Sequence, residues 1–384
     1  MRILQVAAHF SPAYGGGAVE VCYHLSKELS KRGHEVTIYA SDYKLNRGYM
    51  KSMPKVRTRT FKAWLNLARF YVTPAMIKGV GEEICHFNVI HMHAYRSFQN
   101  VVIHYYAKKL GIPYILQAHG SLETFSENTK LRWFFDKIRG HRILKDASKV
   151  IAVTQIEAEQ YKNMGVSEDK IEIVPNGIYL SAFENLPERG EFRRKWGIND
   201  SQKIILYLAR IHKIKGPDLL AKAFAGLSKE IDNAKLVITG PDDGYLSSLK
   251  KLIADLEISD KVLFTGPLYG REKLKAYVDA DVYVLPSAYE TFPITVLEAC
   301  ACGIPVVVTD RCGIADVIKD QAGLIVPCEI EQLQHTLRLI LDDDKMRERF
   351  SKKGKLLVRE KYDWEKITER VERVYSTVIE GRSC

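Results

Sequence analysis

Short apolar runs rich in β-branched residues alternate with helical patterns along the chain, and this alternation limits its fold more than any other feature. The first half contains such runs at 2–8, 35–40, 87–93, 113–120, 149–153 and 171–175. The second half repeats them at 203–209, 235–240, 261–266, 281–287, 305–309 and 323–327. Near-continuous apolar strands separated by helices are typical of parallel sheets with helices on both faces. The sequence therefore predicts an α/β protein with two Rossmann-like, doubly wound parallel sheets.

The length of 384 residues suits two domains, one for each sheet. A polar stretch at residues 183–201 predicts the linker between them. We expect an N-terminal domain over 1–185 and a C-terminal domain over 196–363. The last segment, 364–381, has an amphipathic helical pattern with no strand after it.

Composition limits the compartment and the partners. No apolar run approaches the length of a transmembrane helix, and the first residues are typical of a strand rather than a signal peptide. Seven cysteines without a C-x-x-C pair favour a reducing, cytoplasmic location. The net charge of +10 is concentrated between Asp42 and Glu82, where nine basic residues occur with aromatic residues and no acidic ones. That mixture suits an anionic membrane surface, although a solvated loop and edge strand explains it equally well. No nucleic-acid motif is present, so we expect no nucleic-acid partner.

Candidate ligand residues follow the predicted strands, where open α/β sheets bind ligands. The triple glycine Gly15–Gly17 lies between the first strand and a helix, which favours a phosphate contact over a plain tight turn. It fits neither G-x-G-x-x-G nor the P-loop pattern, which argues against nicotinamide and P-loop chemistry. Arg210 and Lys215 follow a second-half strand, and two cations there suit a diphosphate. His119 follows a first-half strand and is a candidate hydrogen-bonding group.

The stretch "YETFPITVLEAC" places Glu290 before a helix and Glu298 on that helix. Pro293 is typical of a helix's opening residue, so the N–H groups of Ile294 and Thr295 should be available to a ligand. A second carboxylate two turns into an otherwise apolar helix suggests a binding role. The sequence alone leaves simple helix capping open for the first glutamate.

The sequence gives little support for a metal site. His91 and His93 share a face of one strand, but no third ligand has suitable spacing. The pair Asp279-x-Asp281 precedes a strand, which places it at the wrong edge of the sheet for a ligand site. We therefore expect no metal and no cofactor.

Together these motifs resemble retaining glycosyltransferases of family 4, which have the two-domain GT-B architecture with both sheets facing a cleft. The resemblance covers essentially the whole chain. It depends on the E-x7-E pair, on "ARIHKIKG" at 209–216, on "GGGAVEV", on "AHG" at His119 and on "IVPNGI" at 173–178.

The resemblance implies transfer of a hexose from a UDP- or GDP-linked sugar to a glycan or lipid-linked glycan, with retained anomeric configuration and without a metal. It implies catalytic roles for Glu290, Arg210, Lys215 and His119, and a final helix that packs back on the first domain. The implied donor-binding residues are Gly16, Gly17, Gly240, Thr291, Phe292, Pro293, Ile294, Thr295 and Glu298. Two departures from the family pattern, Pro293 in place of a common glycine and "RCGIADVI" at 311–318, leave the donor undetermined.

The basic surface of the first half is interpreted as an acceptor or membrane face, and a membrane face there would place the protein at the inner face of the cell membrane. Its predicted members are Lys55, Arg57, Arg59, Lys62, Trp64, Arg69, His93 and Arg96. Alternatives are a nucleotide-sugar-binding protein without transferase activity, a nucleotide-sugar 2-epimerase of similar fold, and a peripheral membrane adaptor.

Overall fold

The computed structural model describes residues 1–67, 70–123 and 129–381. Arg69, one of the predicted surface residues, lies outside these ranges. The chain divides into two compact units: Met1–Asn176 with Trp364–Cys384, and Gly177–Asp363.

The first unit contains a seven-stranded sheet in the order β3-β2-β1-β6-β7-β8-β9, with each described neighbour pair parallel. A separate antiparallel hairpin is formed by β4 and β5. The strands are β1 (Arg2–His9), β2 (Glu35–Ser41), β3 (Arg57–Phe61), β4 (Leu65–Leu67), β5 (Phe70–Val72), β6 (Val89–His93), β7 (Tyr114–Gln117), β8 (Lys149–Ala152) and β9 (Ile171–Ile173). The helices are α1 (Pro12–Lys31), α2 (Arg47–Lys51), α3 (Ala75–Glu83), α4 (Phe98–Leu110), α5 (Thr129–Phe135), α6 (His141–Asp146) and α7 (Gln155–Asn163), with a π-helical turn, Asp136–Gly140, between α5 and α6.

The second unit contains a six-stranded sheet in the order β12-β11-β10-β13-β14-β15, again parallel at each described pair. Its strands are β10 (Lys203–Leu208), β11 (Ala234–Thr239), β12 (Val262–Gly266), β13 (Val282–Leu285), β14 (Val306–Thr309) and β15 (Gly323–Val326). Its helices are α8 (Glu191–Trp196), α9 (Pro217–Leu227), α10 (Leu246–Asp255), α11 (Gly270–Asp279), α12 (Ile294–Cys302), α13 (Ala315–Ile318), α14 (Ile330–Asp342) and α15 (Asp344–Lys361). The final helix, α16 (Trp364–Glu380), belongs to the first unit.

The central strands are apolar along their length because helices cover both faces of each sheet. In β10 and β13, Ile205, Leu206, Tyr283 and Val284 are completely buried. This burial explains why the strand pattern could be recognised, and the fold class predicted from it is confirmed.

The triple glycine is not in a loop. Helix α1 begins at Pro12, so Gly15–Gly17 lie in its first two turns. Ser11 before it has an extended backbone (φ −142°, ψ 118°), and a proline in the first turn loses no hydrogen bond. The predicted position between the strand and the helix is therefore wrong, although the glycines remain near a helix N-terminus.

The chain passes from the first unit to the second at Asn176–Gly177, so the expected linker region folds within the second unit. Its helix α8 places Arg193 in the interior, where the guanidinium binds Asp281 at 3.2 Å. A polar composition here marks a buried ionic contact rather than a linker.

Candidate functional site

Lys215 and Glu290 are 75 residues apart in sequence and form an ion pair between the lysine ammonium and Oε2 of the carboxylate. Their side chains are 14% and 19% exposed, so the pair is largely shielded yet reachable. Lys215 ends a 3₁₀ turn after β10, and Gly216 follows it with φ +67°. A Cβ at Gly216 would overlap the carbonyl of Pro286, so only glycine lets this turn approach the end of β13.

The backbone of Glu290 is fixed by the loop after β14. Its N–H donates to the carbonyl of Arg311 (3.2 Å), and its carbonyl accepts from the N–H of Gly313 (2.7 Å). The stretch "RCGIADVI" at 311–318, which departs from the family pattern, therefore supports Glu290 through main-chain contacts that do not depend on its side chains.

Glu298 projects from α12 and is held by residues of α11. Lys273 donates to Oε1 at 2.6 Å, and the Tyr277 hydroxyl donates to Oε2 at 3.1 Å. Burial raises the pKa of Tyr277 well above its usual value, so its hydroxyl stays protonated and remains a donor. Each carboxylate oxygen can accept more than one hydrogen bond, which leaves capacity for a further donor.

The N-terminus of α12 lies between these two glutamates in sequence. Pro293 is the N-cap residue (φ −81°, ψ 108°), and the helix begins one residue later than predicted, at Ile294. The N–H groups of Ile294 and Thr295 belong to the first turn, where helix geometry provides no intrahelical acceptor. The Thr295 hydroxyl is 2.7 Å from that of Tyr283. Phe292 is buried and packs near Tyr362, with ring centroids 6.1 Å apart.

Three other predicted residues of the second unit have different surroundings. Arg210 is 57% exposed and forms an ion pair with Asp243 at 2.5 Å. Gly240 has φ +150°, and a Cβ there would overlap the carbonyl of Ala209, so this glycine is required by strand packing. Thr291 is nearly buried, with its hydroxyl 3.3 Å from that of Tyr289.

In the first unit, His119 follows β7 with φ +55°, an uncommon backbone conformation for a residue other than glycine. Its Nε2 is 2.9 Å from Nδ1 of His93, and Nε2 of His93 is 2.7 Å from Oε1 of Gln5. Gln5 in turn donates to the hydroxyl of Tyr375 at 3.0 Å. A hydrogen-bond chain thus joins β7, β6, β1 and α16.

This chain of hydrogen bonds determines which nitrogen of His119 carries the proton. Burial lowers the pKa of His119 to about 3 and that of His93 well below its usual value, so both rings are neutral near pH 7. Since Oε1 of Gln5 only accepts, Nε2 of His93 must donate and its Nδ1 must accept from Nε2 of His119. The Nδ1 atom of His119 is then a lone-pair acceptor, and it is buried without a partner among the described residues.

Glu157 supports the turn that follows His119. Its carboxylate accepts from the N–H of Gly120 at 2.5 Å and from the N–H of Val153 at 2.8 Å. Complete burial raises its pKa to about 7, while the two backbone donors act in the opposite direction. In sequence, Thr154-x-x-Glu157 indicates only a helix capping box, so nothing there pointed to this second role.

The predicted acceptor or membrane face is not one continuous basic surface. Arg57 and Arg59 both pair with Glu83, at 3.2 and 2.7 Å. Arg96 is 13% exposed because it pairs with Asp136 and donates to two backbone carbonyls. His93 is buried within the histidine chain and is not a surface residue. Exposed members are Lys55, Arg57, Lys62 and Trp64.

Gly16 and Gly17 lie inside the first turns of α1. A Cβ at Gly17 would meet no atom within 4 Å, so packing within the protein does not demand glycine there.

Several residues that complete these sites were not predicted, among them Lys273, Tyr277, Gln5, Tyr375 and Glu157. Each acts through contact with an element distant in sequence. In the part of the chain that the structure describes, no group of three His, Cys, Asp or Glu side chains could hold a metal ion. None of its described helices is long and apolar enough to cross a bilayer.

Two family models match the chain. The model described as Glycosyltransferase Family 4 matches residues 15–182, and the model described as Glycosyl transferases group 1 matches residues 188–357. An uncharacterized glycosyltransferase of Methanocaldococcus jannaschii is 30% identical over 99% of each chain. The alpha-monoglucosyldiacylglycerol synthase of Streptococcus pneumoniae is 30% identical over 84% of this chain and 74% of its own.

A solved structure of similar fold is that of HepE from Anabaena in complex with UDP. It superposes with a TM-score of 0.82 and 17% identity, and the match covers 98% of this chain and 100% of the other. The two Rossmann-like units therefore match those of glycosyltransferases with the GT-B fold.

Proposed function

Because this chain belongs to glycosyltransferase family 4 and its two units match the GT-B fold, we propose that it is a retaining, metal-independent hexosyltransferase. Its donor is a nucleotide-diphosphate sugar, and its acceptor is a glycan or a lipid-linked glycan. The observation that carries this proposal is the paired Lys215 and Glu290, followed by the N-terminus of α12 and then by Glu298.

In this proposal the donor's diphosphate is bound by Lys215, Arg210 and the N-terminus of α12. When the bond between the sugar and the diphosphate breaks, the diphosphate leaves with the electron pair and its negative charge increases. Lys215 is partly shielded from water, which strengthens its interaction with that charge. The first-turn N–H groups of Ile294 and Thr295 add the positive end of the helix dipole. Arg210, more exposed, binds the distal part of the same charge.

The two glutamates are assigned to hydroxyl groups of the donor. Glu290 accepts a hydrogen bond from a hydroxyl of the transferred hexose, and its contact with Lys215 places that sugar beside the leaving group. Glu298 accepts from the ribose hydroxyls with the lone pairs that Lys273 and Tyr277 leave available. Carboxylates suit both positions because they only accept hydrogen bonds.

The first unit contributes His119 as an acceptor for a hydroxyl of the hexose. Its neutral ring and unpartnered Nδ1 support a hydrogen-bonding role and argue against general acid catalysis near pH 7. Gly16 and Gly17, in the first turns of α1, are assigned to close approach of donor phosphate.

Retention follows in this proposal from substitution on one face of the sugar. The anomeric carbon loses the diphosphate oxygen through an oxocarbenium-like state and bonds the acceptor oxygen on the same face. The acceptor's hydroxyl proton passes to the departing phosphate oxygen, so no protein base is required. The name of the pneumococcal relative, a monoglucosyldiacylglycerol synthase, supports a lipid among the candidate acceptors.

The decisive experiment compares Lys215→Ala with Lys213→Ala, which removes an exposed lysine from the same 3₁₀ turn. Donors are first identified by thermal stabilisation with a panel of nucleotide-diphosphate sugars, and transfer is then measured. Lys215→Ala should lower kcat by roughly 10²–10³-fold, as loss of one preorganised charge-stabilising group does. Lys213→Ala should stay close to wild type.

An unchanged rate for folded Lys215→Ala would contradict the assignment. NMR of the product tests retention, since an inverted anomer would exclude the proposed route. Release of a 2-epimerised sugar without transfer would favour an epimerase. Donor binding without turnover, over a panel of glycan and lipid-linked acceptors, would favour a binding protein. Full activity in EDTA is expected, and restoration only by added metal would contradict metal independence.

A further inference from the structure

An outward-facing apolar stripe occurs on the helical segment 129–146 of the first unit. Leu131, Phe134 and Ile138 are spaced i, i+3 and i+7, so they lie on one side of the helix. They are 58%, 56% and 44% exposed, and Trp133 beside them is 61% exposed. The opposite side of the segment carries the completely buried Ile143. A surface helix normally has one apolar side, so the second one marks a candidate interaction surface.

The charges around this stripe are almost all positive. Residues 129–146 contain six Lys and Arg against two Asp. Asp136 binds Arg96 through both oxygens, at 3.0 and 2.7 Å, and Asp146 binds His104 and Lys108 at 2.9 and 2.7 Å. Of the basic residues, those with exposed side chains and no described carboxylate within salt-bridge distance are Lys130, Lys137, Arg139, Arg142 and Lys145.

Trp133 lies next to both the apolar stripe and a cationic side chain. The ammonium of Lys137 lies 4.8 Å from the ring centroid of Trp133. Tryptophan and lysine combine in this way at the level of lipid headgroups, where one end of each side chain is apolar and the other polar. By contrast, Arg57 and Arg59 of the basic segment first suspected of membrane contact are already paired with Glu83.

We propose that the outer helix face, defined by Leu131, Trp133, Phe134 and Ile138 with the cations Lys130, Lys137 and Arg142, docks on an anionic lipid bilayer. The helix lies in the plane of the interface, its apolar side chains enter the boundary between headgroups and acyl chains, and its cations contact lipid phosphates. Charge complementarity selects this occupant. Two copies of the face would bring like charges together, whereas anionic lipid neutralises them.

The docking proposal goes beyond the proposed transferase activity and can be tested without a donor or acceptor. The full-length protein is sedimented with vesicles of phosphatidylglycerol and phosphatidylcholine in equal parts, at low and high salt. Binding at low salt should weaken at high salt, because electrostatic attraction supplements apolar insertion. The double variant Leu131→Ser/Phe134→Ser should reduce the partition coefficient at least about tenfold. Lys137→Ala/Arg142→Ala should reduce it about fivefold per charge.

A matched control is Leu339→Ser/Leu356→Ser, two leucines on helices of the second unit that are 43% and 54% exposed. It should bind like wild type. The fluorescence emission of Trp133 should shift to the blue when vesicles are added. Trp133→Phe should therefore lose most of this shift. Trp364→Phe, at a 2% exposed position, should retain it.

Three outcomes would overturn the proposal: no binding at low salt, wild-type binding by Leu131→Ser/Phe134→Ser, or equal binding to pure phosphatidylcholine vesicles. A lipid-free dimer that the same double variant dissociates would instead assign the face to contact between copies. Circular dichroism confirms that each variant is folded. These exposed positions should tolerate serine.

Discussion

The histidines of the first unit show how burial determines what a residue can do. Burial lowers the pKa of His91 and of His119 to about 3, and the neighbouring His119 adds a smaller electrostatic effect that also lowers the pKa of His91. Nδ1 of His91 lies 2.7 Å from the Tyr375 hydroxyl, and its ring stacks on that of His93 at 4.3 Å between centroids. These rings therefore act as neutral hydrogen-bonding groups over the whole physiological pH range.

A pH dependence of stability follows from the lowered pKa of His91. Below pH 6.5 the unfolded chain binds a proton at this histidine that the folded chain does not, so stability falls as pH falls. The loss is about 1.4 kcal/mol for each pH unit between about 6.5 and about 3. In His91→Gln this contribution is absent. The difference in unfolding temperature between wild type and variant should shrink from about pH 7.5 to about pH 5.5; a constant difference would contradict the folded-state pKa.

At the scale of single residues, the sequence predicted the candidate residues better than it predicted the contacts between them. Lys215 and Glu290 were each predicted as catalytic residues, but their direct pairing depends on how β10 and β13 lie side by side. The same limit hid Gln5 and Tyr375, which are 370 residues apart and meet at 3.0 Å. The catalytic roles of Lys215 and Glu290 remain predictions.

Among the structural elements, buried strands were predictable and polar helices were not. Near-continuous apolar runs have few interpretations, so the strands of the second sheet and six of the seven in the first were recognised. The edge strand β3, with the polar sequence RTRTF, was not. Helix α15 (Asp344–Lys361) and helix α8 were missed because their sequences are strongly polar. In α8 the decisive interaction is the buried guanidinium of Arg193, which donates to the carbonyls of Asn199 and Gln202 at 3.0 and 2.7 Å.

Replacing Arg193 by methionine should destabilise the second unit. The side chain is 4% exposed, and its loss leaves the 6%-exposed carboxylate of Asp281 with the N–H of Ile204 and the outer Arg189 as its remaining partners among the described residues. Breaking a buried pair by removing one partner costs roughly 3–5 kcal/mol. Arg194→Met, at the exposed neighbouring position, should cost less than about 0.5 kcal/mol. Urea unfolding followed by the fluorescence of Trp196 measures both, and equal midpoints would refute the structural role of Arg193.

For the molecule as a whole, the sequence pattern predicted two parallel sheets, and the structure contains them. Strand order was not predictable, because each sheet places its first strand centrally and adds later strands on either side. Nor did composition reveal that the polar stretch after Asn176 belongs to the second unit. Both depend on contacts between segments far apart in sequence.

The end of the chain belongs to the first unit, so the stability of that unit depends on the last helix, α16. In α16, Tyr375 is completely buried, and Ile367 and Val371 are 1% and 3% exposed. Polar contacts add to this burial: Glu372 accepts from Arg32 at 2.9 Å and lies 2.7 Å from His34. Removing the helix would expose the apolar surface beneath it and leave Gln5 and His91 without their tyrosine partner.

We therefore expect truncation after Asp363 to destabilise the two units unequally. Burial of each large apolar side chain contributes about 1.5–3 kcal/mol, so loss of α16 should remove much of the first unit's stability. The second unit, Gly177–Asp363, keeps all of its own elements. Hydrogen exchange measured by mass spectrometry should show lost protection in β1 and β6 and retained protection in β10 and β13. Tyr375→Phe, which removes one hydroxyl and little apolar area, should produce a much smaller loss. Equal loss of protection in both sheets would show that the units do not fold independently, because the missing helix contributes buried side chains to only one of them.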